Sequence, residues 1–176
     1  MHNPPKKTLL GERMNRFLAL AAITLPAAAF IFLKPCIFLG MACKHMEGEA
    51  RSLTETTNRA QQAYYLEHGK LASSSKALGL GYPSKTDWNE YSFQNTPTSA
   101  IFYAVPIGSM ASDRKGYVGA VVLDQKVEEK ANPEQLPLKN IICEARGPKA
   151  TLAIKPTLRN GSPICSEGST QTKVPR

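Results

Sequence analysis

The chain has 176 residues, with 22 Lys+Arg against 14 Asp+Glu and a net charge of +8. That length holds one domain of ordinary size plus an anchor or tail and excludes two substantial domains. A content of 42% hydrophobic and 20% charged residues excludes a disordered or collagen-like chain, and a mean hydropathy of -0.27 excludes a multi-span membrane protein while leaving a single span open. The net charge invites a nucleic-acid reading until its distribution is considered. Lys6, Lys7, Arg13, Arg16 and Lys34 stand against Glu12 in residues 1–43, and the remainder carries 17 basic and 13 acidic side chains. Half the excess therefore sits in the first quarter of the chain.

That quarter surrounds Phe17–Leu33, a run of 17 residues without a charge, after which Lys34 and Pro35 precede a second apolar stretch, Cys36–Cys43. About 20 apolar residues span a bilayer, with ~17 as the lower bound, and Lys34 reaches the surface by its aliphatic stem. The basic flank keeps the N-terminus cytoplasmic and exports the bulk of the chain. A cleaved signal after Ala27–Ala29 competes, but it would leave Phe30–Leu33 as a greasy new terminus. A lipidated Cys43 is disfavoured by the poor lipobox Gly40-Met41-Ala42, and a buried soluble helix by the basic flank. Pro26 and Pro35 predict a bent span. Cys36 and Cys43 fall on roughly one helical face, too far apart within a helix to bridge, so they read as packing residues.

An amphipathic helix follows. Met46, Ala50, Leu53, Thr57, Ala60 and Tyr64 form a stripe at alternating spacings of four and three. Glu47–Arg51 and Glu55–Arg59 place an acid four residues before a base on the other side. Gly69 reads as the C-cap. A helix from about Arg16 to His68 would be ~80 Å long. Leu71–Pro83 is a turn-rich connector. Four strand candidates come next: Glu90–Gln94, Ala100–Pro106, Tyr117–Leu123 and Asn140–Glu144, separated by turn signals and by the charged stretch Asp124–Pro137. Short strands in tandem imply an antiparallel sheet, because a parallel one needs intervening helices. The fold expected is α+β, one long helix and one sheet burying each other's apolar faces. The last 30 residues, rich in Pro, Gly, Ser and Thr, are expected to make little core of their own. In an exported compartment Cys143 and Cys165 would pair, and closing a loop of roughly 23 residues contributes about 3.4 kcal/mol in the chain-entropy model.

Gly48-Glu49-Ala50-Arg51, then Asn58-Arg59-Ala60-Gln61-Gln62-Ala63-Tyr64-Tyr65-Leu66-Glu67, Gly69-Lys70 and Leu78-Gly79-Leu80-Gly81 resemble the type IV pilin-like G/H family of cyanobacterial type. Tyr117–Val121, Ile142-Cys143-Glu144 and Gly161–Cys165 fall in the expected order, and the resemblance covers about residues 44–168. It implies a pilin-like fold: a long N-terminal helix on a small antiparallel sheet of about four strands, with Cys143–Cys165 stapling a C-terminal loop. It also implies a minor pilin or pseudopilin-like subunit of a pilus, or fimbrium, with processing by leader cleavage and methylation. Partners would be other pilin subunits, met through the N-terminal helix, and the inner-membrane assembly machinery. The organisation implied is a basic cytoplasmic leader at 1–16, a membrane helix at 17–43, a periplasmic domain at 44–168 and a tail at 169–176, single-pass in the inner membrane or carried into a surface pilus. The family's leader ends in Gly, followed by an aromatic or Met residue, Thr-Leu and an acid. Leu9–Arg16 lacks that run, so the processing motif reads as degenerate, which keeps open a non-polymerising, membrane-tethered periplasmic binding module.

No enzyme, cofactor or metal pattern is apparent in the sequence. His2, His45 and His68 are scattered, and neither CxxC nor HExxH occurs. Glu128-Glu129 reads as a solvated pair. Trp88 and Tyr91 near Asp87 could form a sugar platform, but a packing cluster at the start of a strand is favoured. Gly79-Leu80-Gly81 is too short for a phosphate loop. Lys149, Lys155, Arg159, Lys173 and Arg176 give the C-terminal tail a basic bias that could meet DNA, yet without interleaved aromatics it reads as a solvated tail.

Overall fold

A computed structural model of the chain describes residues 40–124 and 137–172, all within the unit Leu39–Arg176. The leader at 1–16, the apolar run Phe17–Leu33, the Glu128-Glu129 pair, and Lys173 and Arg176 lie outside the described residues. No helix among the described residues is long and apolar enough to cross a membrane.

Helix α1, Gly40–His68, has 29 residues and a length of ~44 Å. Gly69 ends it at φ +66°, its N–H donating to Tyr65 O at 2.8 Å, the expected cap. Its inward face holds Cys43, Met46, Ala50, Thr54, Thr57, Asn58 and Gln61. Met46, Ala50 and Thr57 belong to the predicted stripe. Leu53, Ala60 and Tyr64 sit at its half-buried margin, and three polar side chains occupy the centre instead. Each of the three is satisfied, which removes the desolvation cost that would otherwise oppose burial. Thr54 Oγ1 donates to Ala50 O (2.8 Å), and Asn58 Nδ2 donates to Ile141 O (3.0 Å). Gln61 donates to Ala72 O and accepts from Ala72 N–H, both at 2.9 Å. Arg51 pairs with Glu55 at 2.9 Å.

The four predicted strands are all present and longer than expected: β1 Asn89–Thr96, β2 Ser99–Pro106, β3 Lys115–Leu123 and β4 Leu138–Arg146. Pro97-Thr98 turns β1 into β2, and a 3-10 turn at Ala111–Asp113 precedes β3. Asp124 N–H donates to Pro137 O at 2.6 Å, closing the base of the β3–β4 connection. Beyond β4 come a short helix α2, Pro148–Ala153, a hairpin β5 Thr157–Arg159 with β6 Ser162–Ile164, and β7 Thr170–Gln171. The main sheet is five-stranded and antiparallel, in the order β1-β2-β3-β4-β7. The fifth strand comes from the C-terminal segment.

Alternation along β2, β3 and β4 divides the core in two. Tyr91, Phe102, Ala104, Tyr117 and Ile142 face α1, where they pack with Ala50, Leu53, Tyr82 and Phe93. The Tyr91 and Phe102 rings stack at 5.8 Å, with Tyr82 edge-on to both at 5.7 Å. Tyr103, Val105, Val118, Ala120, Val122, Ile141, Cys143 and Ala145 form the opposite face and pack with Ile154 and Cys165. The sheet is thus buried on both sides. The last 30 residues, expected to make little core of their own, supply α2, Ile154 and the Cys165 segment as the cover of the second face. Tyr103 OH donates to Ile154 O at 3.1 Å and Thr151 Oγ1 to Gly147 O at 2.7 Å, so the polar atoms of this layer are paired.

Two glycines let the layers touch. A Cβ on Gly119, opposite Phe102 and Ile142 in the sheet, would lie 2.5 Å from Asn58 Oδ1 and 2.8 Å from Thr54 Cγ2. On the other face, a Cβ on Gly116 would lie 2.7 Å from both Pro106 Cδ and Thr151 Cγ2. Helix α1 meets β3 at the first glycine and α2 at the second.

Candidate functional site

Toward its N-terminal end α1 is fastened to the sheet by charge rather than grease. Glu47 Oε1 accepts the N–H of Lys115 at 2.8 Å, and Glu49 Oε1 accepts the hydroxyl of Tyr91 at 2.7 Å. Asn89 Nδ2 donates to Met46 O at 3.3 Å. Beside them Arg114, only 1% exposed, donates through Nη2 to Trp88 O (2.9 Å) and Ile107 O (2.5 Å). Burial pushes its pKa down, and the nearby charges of Glu47 and Glu49 oppose that shift. Two buried atoms of this cluster, Arg114 Nε and Asn89 Oδ1, have no hydrogen-bond partner. Arg114 therefore ties the ends of β1, β2 and β3 together directly beneath the acids of α1. No local pattern signals this: an arginine in a turn before an apolar strand ordinarily faces solvent.

At the other layer Cys143 and Cys165 form the expected disulfide, with a Cα–Cα distance of 5.7 Å. Cys143 is fully buried in β4 and Cys165 is half-buried just after β6, so the bond ties the C-terminal segment to the middle of the sheet. Near it, a groove of about 190 Å³ runs between the β3–β4 ends and the Gly168–Thr170 turn, lined by Lys115, Glu144, Ala145, Arg146, Gly168 and Thr170. Lys115 and Glu144 pair within it at 2.5 Å, and Arg146 donates to Asp113 O, so its charges are engaged internally. Among the described residues no group of three or more His, Cys, Asp and Glu could hold a metal ion.

A long helix laid on an antiparallel sheet, closed by a C-terminal disulfide, is the context in which the comparison with known families becomes decisive. The family model described as type IV pilin-like G and H matches residues 47–166. The chain belongs to that family. The match begins at Glu47, the first acid holding α1 to the sheet, and ends one residue after Cys165, so it contains both fastenings. The family is structural and non-enzymatic, which makes this pilin-like chain a pilus-related subunit. No curated protein and no solved structure matches it.

The other residues singled out in the sequence of this pilin-like protein are dispersed. His45 is exposed on α1, and His68 stacks on Tyr64 at its end, with ring centroids 4.0 Å apart. Trp88 and Tyr91 do not make a joint platform: Tyr91 is buried in the aromatic cluster while Trp88 stays 40% exposed. Lys149, Lys155 and Arg159 are exposed around α2 and the hairpin. Cys43, expected to serve packing, is disulfide-bonded, with its partner outside the described residues.

Four tyrosines give the domain a pH limit. Burial raises the pKa of Tyr82, Tyr91, Tyr103 and Tyr117 above 10.0, Tyr117 to about 12, with carboxylates adding to the shift for Tyr91 and Tyr117. A group whose folded pKa is raised contributes stability that is complete below its unfolded pKa and is lost as pH climbs through the folded value. Thermal melts should therefore be insensitive to these groups at pH 8 to 9 and should fall steeply above about pH 10. Tyr91→Phe, which also releases Glu49, should lessen the slope. A flat profile between pH 10 and 12 would show that these hydroxyls are open to water.

Proposed function

We propose that the chain is a structural or accessory subunit of a type IV pilus or of a type II secretion pseudopilus-like assembly. In this reading residues 17–43 hold it in the inner membrane, residues 1–16 remain cytoplasmic and the domain at 44–168 is exported, with 169–176 as a tail. The family match over residues 47–166 carries the reading, and the 29-residue α1 laid along the sheet supports it. Assembly proceeds by lateral packing of apolar helix segments, which in lipid is driven by shape and van der Waals contact. The domain then rides outside on a helix that its own buried amides and acids hold at a fixed angle.

Sequencing the mature N-terminus of the protein in membrane and sheared-filament fractions tests this. Processed protein in the filaments is the expected result. Full-length protein confined to the membrane would replace the subunit reading with a tethered periplasmic binding module, which the departure of Leu9–Arg16 from the family's leader pattern favours.

A further inference from the structure

We propose that Asn160-Gly161 is a site of spontaneous covalent modification, where Asn160 loses its amide through a cyclic imide and is left chiefly as isoaspartate, which frees the β5–β6 hairpin from Lys139. The chain has no other asparagine followed by glycine. The pair makes up the whole turn between β5 and β6, with Arg159 opposite Ser162, and both residues are left-handed, at φ 53° and 74°. Strand twist selects this turn, and Asn-Gly fills it at least cost. The same choice sets a reactive amide beside a backbone nitrogen that no Cβ shields. Asn160 is exposed, and among the described residues neither its side chain nor the N–H of Gly161 makes a hydrogen bond. The other described asparagines are held. Asn58, Asn89 and Asn95 donate their amides to Ile141 O, Met46 O and Ala72 O. Asn140 is paired with Val121 inside the sheet, and the β-branched Ile141 follows it.

The step needs only water. The nitrogen of Gly161 bonds to Asn160 Cγ, the Cγ–Nδ2 bond breaks, and Nδ2 leaves as ammonia with the proton that the Gly161 nitrogen gives up. Water then opens the imide ring, its hydroxyl going to the attacked carbon and its proton to the Gly161 nitrogen. Attack at Cγ yields aspartate on an ordinary backbone. Attack at the main-chain carbon of Asn160 yields isoaspartate, with the chain now running through Cγ. Ring closure proceeds from transient openings of the turn, which are cheap here because the hairpin has three residue pairs and every residue of β5 is exposed. The product disturbs a fastening. Gly161 O accepts from Lys139 Nζ at 2.6 Å, and Lys139 pairs with Asp124 Oδ2 at 2.5 Å. Isoaspartate lengthens the main chain of a two-residue turn by one carbon and brings a new carboxylate toward that of Asp124, which a Cβ on Gly161 would already approach to 3.7 Å. The turn then leaves Lys139, while the Cys143–Cys165 bond still holds the segment after β6.

The folded full chain is held at physiological temperature in mildly alkaline buffer made with heavy-oxygen water and mapped by peptide mass at intervals. Each event replaces an amino group by a hydroxyl, so the protein gains a negative charge on ion exchange and the peptide containing Asn160 retains a heavy oxygen. Asn160 should convert several-fold faster than Asn95 and Asn140 in the same sample, with isoaspartate the larger product. N160Q should keep its original charge, because the longer side chain closes its ring too slowly to compete. The isoaspartate fraction, separated from the parent, should be cut more rapidly by chymotrypsin after Leu158, which is 48% exposed. Reduced gels show the cut, since the disulfide otherwise keeps the pieces together. Conversion of Asn160 no faster than that of Asn95 or Asn140 overturns the site, and so does an N160Q variant that acquires the acidic form at the parent's rate. Unchanged cleavage of the isoaspartate fraction would overturn the release of the hairpin from Lys139.

Discussion

Gly119→Ala should destabilise the domain by about 2 kcal/mol, and Gly119→Val by about 3 kcal/mol or more, equivalent to roughly 10 °C in melting temperature. The reason is local and does not depend on glycine's flexibility. Gly119 has an ordinary φ, but the first carbon of any side chain there would stand 2.5 Å from Asn58 Oδ1 and 2.8 Å from Thr54 Cγ2. Neither neighbour can step aside cheaply. Thr54 is held by its bond to Ala50 O, and Asn58 by its bond to Ile141 O; both sit in the centre of the buried face of α1. The helix would have to lift from β3 or Asn58 would have to abandon a buried carbonyl, and each costs on the order of 1–3 kcal/mol. Gly48→Ala provides the contrast on the same helix, because a Cβ there meets nothing within 4 Å. That substitution should stabilise α1 by about 0.5–1 kcal/mol. Thermal or urea unfolding of the two variants decides the matter: if Gly119→Ala melts with the parent, α1 does not approach the sheet as closely as described.

This contact also explains how far the sequence could be read. The apolar period of α1 placed Met46, Ala50 and Thr57 correctly, and four strands with turn signals between them named the sheet. The period could not place Thr54, Asn58 and Gln61 inside, since polar side chains enter a core only when a specific partner awaits; Thr54 finds its own at Ala50 O one turn back, but those of Asn58 and Gln61 lie 83 residues away at Ile141 and 11 away at Ala72. Asn58 and Gln61 are part of the segment Asn58–Glu67, the specific part of the resemblance, and Gly119 of Tyr117–Val121, but nothing in that resemblance said that they lock helix, connector and strand together. The second buried face left a fainter trace. Tyr117–Val122 is apolar or small at six successive positions without alternation, the pattern of a strand covered on both sides. Its cover was hidden because the C-terminal segment is poor in large apolar residues; it contributes chiefly Ile154 and a buried threonine and depends on the disulfide for the rest. Nothing local marks Arg114, whose role comes from three strand ends that meet only in the fold.

Removing the disulfide by C143A/C165A should cost about 3.4 kcal/mol, from the loop-closure entropy of a 22-residue separation, and should loosen the C-terminal segment before the rest of the domain. Alanine at both positions avoids placing a hydroxyl at the fully buried Cys143 site, so the change reports on the bond and on modest lost volume. Apart from the packing of Ile154 and Thr151, the segment from Gly147 to Thr172 is held at its two ends, by Gly147 N–H on Arg114 O and by Thr172 N–H and Oγ1 on Ile142 O with the two residue pairs of β7 and β4, and between them by Tyr103 OH on Ile154 O and Lys139 Nζ on Gly161 O. Trypsin should therefore cleave the variant after Lys149, Lys155 or Arg159, all exposed, well below its midpoint of unfolding. When this layer opens it uncovers Val118, Ala120, Ile141 and Ala145, an apolar strip on the sheet face away from α1. An exposed strip of that kind invites pairing between domains, so the variant should also aggregate as its tail frays. The staple thus keeps the second apolar face of the sheet covered. If the C-terminal segment keeps its protease resistance after the double substitution, packing at Ile154 and Thr151 suffices and the bond is dispensable to the fold.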